Sequence, residues 1–322
     1  MHKIELFSIL VLIMIVAGIT ACNNSGGGSG NGDTDLQSGP FSTIAELQSF
    51  LDNCEGGEIE SDPILLKINI DLGNTISGSV WYEVLDVIKN ANKYVALDLS
   101  ACSVTDNKFE THESSYAGKE KIVSIIFPDD AESLPSGYSG PSPFRFALKE
   151  ITGKNIITIG NNLFVDCPKL DKVSFPKATS IGQSAFNGCS SLKNVSFPEV
   201  TSIGSNVFSG CDSLEIINFP KAESIGEIAF SFCNSLESVC FPEVTSIGQG
   251  AFWRCNSLKS ISFPKVTSIG SNTFFSPIIS IIIAADCTLT TTAIRDGFDS
   301  YYNNGGKAAG TYIFNGTTWE GP

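Results

Sequence analysis

Residues 189–210 read CSSLKNVSFPEVTSIGSNVFSG, and residues 211–232 read CDSLEIINFPKAESIGEIAFSF. Both stretches have 22 residues, with cysteine, leucine, phenylalanine, proline and glycine at equivalent positions. The unit occurs five times without a gap from residue 167 onward, and a partial unit over residues 156–166 precedes it. Stacked units can bury an apolar face that one unit alone cannot bury. A short repeat of fixed period therefore predicts a solenoid.

Three apolar positions in each unit predict a short strand. Val173 and Phe175 are two residues apart, so they lie on one face of a strand while Ser174 between them faces the other way. We expect Leu170 at the start of this strand. The inward positions of the five units are Leu170, Leu192, Leu214, Leu236 and Leu258, then Val173, Val195, Ile217, Val239 and Ile261, then Phe175, Phe197, Phe219, Phe241 and Phe263.

Proline and glycine indicate where each coil turns. Pro176 and its equivalents have no backbone N–H for a ladder, so they should end the strand. We expect the glycine of each Ser-Ile-Gly to occupy a tight or left-handed turn. A second phenylalanine column, from Phe164 to Phe274 at steps of 22, should close the coil. The glycines are Gly182, Gly204, Gly226, Gly248 and Gly270.

Five of the ten cysteines form another column, made of Cys167, Cys189, Cys211, Cys233 and Cys255. An in-register stack points these side chains the same way, which favours a ladder of buried thiols over disulfides between coils. The CxxC or CxxH spacing typical of zinc sites is absent. We therefore expect structural thiols, no metal and no cofactor. Cys240, alone among the repeat cysteines, should face solvent.

The pattern CxxLxxVxFPxVTSIGxxAFxG resembles the BspA-like leucine-rich repeat of surface proteins from oral and gut bacteria, treponemes among them. The match covers about residues 155–285, and residues 310–319 are similar to the closing segment of treponemal members. The resemblance implies a leucine-rich repeat solenoid, mainly β with some α. Its 22-residue coils would form a curved parallel sheet, with a helical N-terminal cap and a small C-terminal cap. For some members it implies adhesion to host matrix proteins, such as fibronectin and fibrinogen, or to other bacteria.

The first 40 residues predict an exported lipoprotein. Lys3 precedes an apolar run over residues 7–19 that ends in small residues, which is typical of a secretory signal rather than a spanning helix. The end of residues 1–21 together with Cys22 reads ITAC and resembles the lipobox of bacterial lipoproteins, which implies cleavage before Cys22 and its lipidation. An uncleaved membrane anchor is the alternative. Residues 22–40, rich in Gly, Ser and Asn, predict a flexible tether.

Residues 41–154 predict an N-terminal cap that merges into irregular repeats. Ser42 is expected to cap a helix that ends near Asn53. Residues 79–90 predict a second amphipathic helix, and residues 64–70 predict a strand. Such a cap would cover the open apolar end of the first coil.

Polar stretches over residues 102–120 and 129–143 predict loop insertions between the early coils. At the other end, an isoleucine-rich strand over residues 278–283 should close the array. Residues 286–322 predict a C-terminal cap, with a helix near residues 291–302 and a hairpin that turns at Asn315-Gly316.

The outward positions of the repeat strands are small, neutral and rich in hydroxyls and amides. Carboxylates are missing from them, so the acid–base pair that a polysaccharide-cleaving solenoid needs is not predicted. We expect no enzyme. The same positions form the predicted ligand-binding face, although serine and asparagine could also be there only to fit a crowded sheet. The residues are Lys172, Ser174, Asn194, Ser196, Asn218, Ser238, Ser260 and Ser262, together with Ile216 and Cys240.

Two further columns depart from a purely structural pattern. The residue after each proline alternates in charge, and these residues should pair between coils, setting register more than stability. They are Lys177, Glu199, Lys221, Glu243 and Lys265. Phe232, Trp253, Arg254 and Phe275 replace small residues just before the cysteine column. These aromatic residues could anchor a partner or pack beneath the C-terminal cap.

The net charge of −14 argues against nucleic acid and anionic lipid head groups as ligands, because binding them needs clustered Lys and Arg. The sequence predicts a secreted protein, lipid-anchored to a bacterial membrane at the outer membrane or cell surface. We expect an adhesin or recognition module for host or bacterial surface proteins, with membrane contact only through the N-terminal lipid. The alternative is a structural surface or periplasmic scaffold lipoprotein without a specific ligand.

Overall fold

The structure is a computed structural model, and it describes residues 39–75, 78–110, 118–136 and 142–274, then 278, 280–283, 287–289, 298, 302, 308–314 and 318–322. Two α-helices have both ends in these ranges, α1 (Ile44–Asn53) and α2 (Val80–Ala91), and two 3-10 turns lie at Thr105–Asn107 and Lys119–Lys121. Over the same ranges, no helix has the length and hydropathy that crossing a bilayer requires.

The other elements with defined bounds are short strands. In chain order they are β1 (Ile64–Lys67), β2 (Val95–Asp98), β3 (Ile122–Ile126), β4 (Ser133–Leu134), β5 (Glu150–Thr152), β6 (Thr158–Ile159), β7 (Lys172–Ser174), β8 (Ser180–Ile181), β9 (Asn194–Ser196), β10 (Ser202–Ile203), β11 (Ile216–Asn218), β12 (Ser224–Ile225), β13 (Ser238–Cys240), β14 (Ser246–Ile247), β15 (Ser260–Phe263), β16 (Ser268–Ile269), β17 (Ser280–Ile283), β18 (Thr288–Leu289), β19 (Gly310–Phe314) and β20 (Trp319–Glu320).

The strands stack into two parallel ladders, which confirms the predicted solenoid. The first, which we call the long-strand side, contains β1, β2, β3, β5 and β7, then the pair β9 and β11, then β13, β15 and β17. The second contains β4 and every even-numbered strand from β6 to β18, and most of these are Ser-Ile pairs. Equivalent residues of neighbouring units pair with each other, for example Asn194 with Ile216 and Ile203 with Ile225. Each 22-residue unit therefore forms one coil of the solenoid.

The interior is filled by the predicted columns. The leucine and phenylalanine columns and the isoleucine of each Ser-Ile are buried, while Val173 and Ile217 are only partly buried. Phe208 is stacked between Phe186 and Phe230, with ring centroids 5.5 Å apart on each side. Stacked aromatic pairs add about 0.5–1.5 kcal/mol beyond the area they bury. Each coil therefore gains its stability from the coils on either side.

One prediction about the coil is wrong, and another, which left a tight and a left-handed turn open for the glycines, loses the second alternative. The leucines do not begin the strands: Leu192 lies two residues before β9. The glycines of Ser-Ile-Gly are not left-handed. At Gly226 a Cβ would lie 2.6 Å from the carbonyl carbon of Gly204, so glycine is required by the close approach of two coils. The left-handed residue comes two positions later, for example Asn206, with φ 58°.

The N-terminal cap has the predicted helices, but its capping residue differs. Thr43 caps α1, since its Oγ1 accepts a hydrogen bond from Glu46 N at 3.2 Å, and the predicted Ser42 instead donates its N–H to the Glu46 carboxylate at 2.9 Å. Thr43 rather than Ser42 is three residues before a glutamate, as a capping box requires. Leu47 of α1 and Trp81 of α2 are fully buried against the first coils.

The two predicted loop insertions are partly wrong. Within 129–143, β4 begins the second ladder by pairing with β6. Within 102–120, Phe109 is fully buried, and its ring centroid lies 5.0 Å from that of Trp81 and 5.3 Å from that of Phe127. The sequence of these stretches predicted loops because it lacks the repeat's spacing. In the structure, parts of both stretches belong to the coils.

At the C-terminal end, β17 pairs with β15 after 20 residues, since Ser260 faces Ser280. The hairpin is confirmed, because β19 runs antiparallel to β17 and β20 runs antiparallel to β19. Its predicted turn, Asn315-Gly316, lies outside the described residues, as does most of the helix predicted over residues 291–302.

Candidate functional site

The outward side chains of the long-strand side form two rows, and we call the two rows together the outward face. One row contains Asn194, Ile216, Ser238 and their equivalents, and the other contains Ser196, Asn218, Cys240 and theirs. The predicted residues Lys172, Ser174, Asn194, Ser196, Asn218 and Ser238 are exposed, while Ser260 and Ser262 are half-buried.

Few of the polar groups on this face are engaged with one another. Asn218 Nδ2 donates to Ser196 Oγ at 2.9 Å, and Ile216 exposes 60% of its surface between polar neighbours. Cys240 is exposed, as predicted. The face thus offers hydroxyl, amide and apolar groups in a regular array, and it carries little charge over β9 to β15.

The outward face extends further toward the N-terminus than the repeat spacing predicts, and there it does carry carboxylates. Glu150 lies beside Lys172 in one row and Asp98 beside Ile126 in the other. Glu150 pairs with Lys172 at 3.7 Å, and Asp98 accepts a hydrogen bond from the Ser100 hydroxyl at 2.6 Å. The two acids are on different rows, with β3 between their strands. Each one is engaged by a neighbouring side chain, and they do not face each other as an acid–base pair.

The cysteine column is a ladder of buried thiols, as predicted. Cys189, Cys211, Cys233 and Cys255 each donate a hydrogen bond to a phenylalanine carbonyl of the preceding coil, at 3.0–3.3 Å. None of the cysteines in the described ranges forms a disulfide. Burial raises the pKa of Cys167 to about 12 and raises the pKa of Cys189 and Cys233 well above the ordinary thiol value. These thiols are therefore held protonated and unreactive.

The predicted aromatic edge is a real cluster. The rings of Phe232 and Trp253 meet edge to face with centroids 5.0 Å apart. The Arg254 guanidinium lies 4.6 Å from the centroid of the Trp253 ring and 5.5 Å from that of Phe232. Phe232 exposes 37% of its surface, whereas Trp253 is half-buried. Phe275, the fourth predicted member, lies outside the described residues.

This cluster occupies backbone positions that disfavour such residues. Phe232 and Arg254 have φ of 59° and 58°, and the equivalent residues of the two preceding coils are Gly188 and Gly210, both at φ 75°. A bulky residue with positive φ is an outlier that costs of order 1–3 kcal/mol. Phe232 is held there because its N–H donates to Trp253 O at 2.8 Å.

Ile228 belongs to the same cluster and was missed by the sequence reasoning. Its φ is 59° and it exposes 39% of its surface. A methyl group at Gly250 would lie 3.6 Å from Ile228 Cγ1 and 3.7 Å from Trp253 Cβ, so both side chains flank the same spot. The signal was available in the column, where the other coils have Asn162, Ser184, Asn206, Gly250 and Asn272. We call Ile228, Phe232, Trp253 and Arg254 the aromatic patch.

The alternating charges pair only in couples. Lys221 meets Glu199 at 2.6 Å and Lys265 meets Glu243 at 2.5 Å, each lysine reaching back one coil. Lys177 instead donates to Asn155 Oδ1 at 2.7 Å. The prediction of continuous pairing along the solenoid is therefore wrong, because Lys177 does not pair with Glu199 and Lys221 does not pair with Glu243.

Cys22, the predicted signal before it and residues 22–38 of the predicted tether lie outside the described residues. In the part of the chain that the structure describes, no group of three or more His, Cys, Asp or Glu side chains could hold a metal ion.

Three solved structures resemble this chain. A leucine-rich repeat protein from Bacteroides ovatus is 23% identical, with 67% of this chain and 62% of that chain covered and a TM-score of 0.39. A second, from Eubacterium ventriosum, is 22% identical, with 65% and 63% covered and a TM-score of 0.43. A leucine-rich cell surface protein from Faecalibacterium prausnitzii is 19% identical, with 72% and 74% covered and a TM-score of 0.35. The chain thus spans less than two thirds of the first two proteins.

No protein of curated function matches the chain in sequence. A family model does match, that of the BspA-type leucine-rich repeat region, in six copies over residues 148–283. Its range includes the five regular units and the coil that contains β5. Together with the stacked 22-residue coils, this match identifies residues 148–283 as a BspA-type leucine-rich repeat region.

Proposed function

We propose that this protein is a lipid-anchored surface adhesin or recognition module that holds a protein ligand through the aromatic patch and the outward face. Leucine-rich repeat proteins generally bind proteins. The observation that carries the proposal is the backbone strain beneath exposed apolar side chains at Ile228 and Phe232. Neither side chain is needed to fill the core, because neighbouring coils have Asn206 and Gly210 at these positions.

The composition of the aromatic patch is that of an interface anchor. Tryptophan, arginine and other aromatic residues carry a disproportionate share of the energy of protein–protein contacts. Here the Arg254 guanidinium is already stacked on Trp253, which orders it before a partner arrives. An ordered anchor loses less side-chain entropy on binding than a mobile one.

The outward face would add specificity rather than most of the affinity. Its hydroxyl and amide groups can each exchange a water for a ligand hydrogen bond, and the net gain of such an exchange is small. Ile216 and Ile126, exposed by 60% and 37%, provide apolar contacts among them. Catalysis is not part of the proposal, because Glu150 and Asp98 are separately engaged.

The lipoprotein anchor at Cys22 and the surface location are likewise proposals that rest on the amino-terminal sequence. Replacing Cys22 by Ala should abolish incorporation of labelled fatty acid and release the protein from the membrane fraction. Protease treatment of intact cells should cleave the wild-type protein. Complete protection from the protease would instead support the periplasmic scaffold and would remove the adhesin.

The ligand proposal is tested by restoring the residues of neighbouring coils. Phe232→Gly and Ile228→Asn place at each position a residue that an adjacent coil already tolerates. We expect both to reduce binding to immobilised matrix proteins or partner bacteria by tenfold or more, a loss of about 1.4 kcal/mol or more. Phe146→Ser is the matched control, since Phe146 exposes 46% of an aromatic ring on another coil. If the wild-type protein binds none of these ligands, the adhesin proposal fails and the structural scaffold remains.

A further inference from the structure

Residues 54–63, which connect α1 to β1, run across the coils instead of along one, and we call them the strap. Its first half is attached to the residues just before β2. Lys93 Nζ donates to the carbonyls of Cys54 at 2.5 Å and Gly56 at 3.1 Å, and it pairs with Glu58 at 3.5 Å. The backbone N–H of Tyr94 donates to Gly57 O at 2.6 Å. This half of the strap thus lies on the second coil.

Glu60 continues the strap to much more distant coils. Its carboxylate pairs with Lys149 at 3.2 Å and forms a closer hydrogen-bonded pair with Lys169. Lys149 directly precedes β5, and Lys169 lies three residues before β7. These are the fourth and fifth strands of the sheet that β1 begins.

The span of this contact is unusual for a solenoid. Glu60 is only four residues from β1, and parallel strands are about 4.8 Å apart, so the fifth strand lies about 19 Å from the first. In a stack of coils each unit normally touches only its neighbours. The pair of Glu60 with Lys169 instead joins residues 109 apart in sequence, one shortly before the first strand of this sheet and the other shortly before the fifth.

The environment of Glu60 favours a pair stronger than those elsewhere on the surface. The Glu60 side chain is 21% exposed, whereas that of Glu199, paired with a single lysine, is 45% exposed. Burial alone would raise the pKa of Glu60, yet hydrogen bonds and charges from Lys169 and Lys149 lower it below the usual value. Partly buried ion pairs are screened less by salt than exposed ones.

We propose that the strap is an electrostatic clamp that makes the first five coils open as one unit. Without such a clamp, an end coil of a solenoid can detach alone, because it has a neighbour on one side only. The clamp couples the first coil to the fourth and fifth, so its opening requires that the Glu60 pairs break. It acts at the end where the chain enters the solenoid.

Hydrogen exchange of the full-length protein tests this proposal. Glu60→Gln keeps the size of the side chain and removes its charge. We expect exchange in β1, β2 and β3 to accelerate roughly three- to tenfold, while exchange in β13 and β15 stays unchanged. Glu58→Gln is the matched control, because Glu58 belongs to the same strap, is 69% exposed and has one pair at 3.5 Å. It should change exchange by less than about twofold.

A double-mutant cycle separates a clamp from a simple loss of charge. If Glu60 and Lys169 act through each other, Lys169→Gln should add little to Glu60→Gln. Exchange in β1 to β3 of the wild-type protein should also accelerate with rising salt. This measurement tests the clamp even if Glu60→Gln does not fold. The clamp would be overturned if Glu60→Gln exchanged at wild-type rates or if the two glutamate variants had equal effects. Exchange that does not depend on salt would also overturn it.

Discussion

The regular array and the amino-terminal region contain the same kind of coil, but they are held together differently. Polar side-chain contacts between coils of the array join residues 22 or 25 apart, as in Lys221 with Glu199 and Cys211 with Phe186. In the amino-terminal region the separations vary: 34 for Cys102 with Ile68, and 109 for Lys169 with Glu60. An array of identical contacts can be lengthened by copying a unit. The amino-terminal region cannot be lengthened in this way, because each of its contacts is different. It therefore defines where the solenoid begins.

The largest expected effect is on the core of the array. Phe208→Ala removes a fully buried ring that is stacked on both sides, and it should lower the free energy of unfolding by about 3–5 kcal/mol. Denaturant titration measures this loss. Because array contacts are nearest-neighbour, hydrogen exchange should accelerate in β9 and β11 and much less in β1 and β2. Ile216→Ala, at an exposed position of the next coil, is the control and should be nearly neutral.

Thiol reactivity separates the buried ladder from the exposed side chain in the same array. At pH 8, a thiol reagent should modify Cys240 at least about a hundredfold faster than Cys189 or Cys233. Alkylation needs the thiolate, and burial raises the pKa of Cys189 and Cys233 well above the ordinary thiol value, so both stay protonated at pH 8. Denaturant should make all rates similar. If Cys240 and the ladder cysteines were labelled at equal rates in the folded protein, the assignment of Cys240 as outward and the ladder as inward would be wrong.

A smaller effect of unusual sign is expected at the aromatic patch. Phe232→Gly relieves a left-handed backbone strain and gives up a half-exposed contact, so the stability should stay equal or rise by up to about 1 kcal/mol. Thermal and denaturant unfolding measure this. Phe219→Gly, at a buried position of the same coil, should be strongly destabilising. A loss of more than about 2 kcal/mol in Phe232→Gly would show that the ring supports the fold and is not kept for binding.

The smallest effect is expected for the charge couples of the array. Glu199→Gln removes the exposed pair with Lys221 and should cost about 0.2–1 kcal/mol, falling toward zero in high salt. Denaturant midpoints at two salt concentrations measure it. A cost equal to that of Glu60→Gln would remove the distinction between nearest-neighbour couples and the strap.

The repeat was readable in the sequence because its physics is periodic. Every array residue has the same neighbours one coil away, so the inward columns, the buried thiols and the exposed Cys240 followed from spacing alone. The amino-terminal coils were only partly readable. Their helices were predicted, but β4 and Phe109 were placed in loops because nothing in the sequence repeats there.

The candidate site divides in the same way. The outward face over β7 to β15 was predicted residue by residue, since side chains alternate along a strand. Ile228 was missed although its column shows the substitution, because a left-handed position can be recognised only once backbone angles are known. Phe232, Trp253 and Arg254 were predicted from the loss of small residues in the two columns before the cysteines, yet the edge-to-face geometry of Phe232 and Trp253 comes from two adjacent coils.

Local spacing was thus sufficient for the solenoid, its coil height and the direction of most side chains, because these depend on residues 22 apart that are identical or similar. Three features needed the folded chain: the glycine at the close approach of two coils, the strain beneath Phe232, and the Glu60 contact with Lys149 and Lys169. Each depends on backbone angles or on spatial distances between stacked groups, and residue spacing alone gives neither.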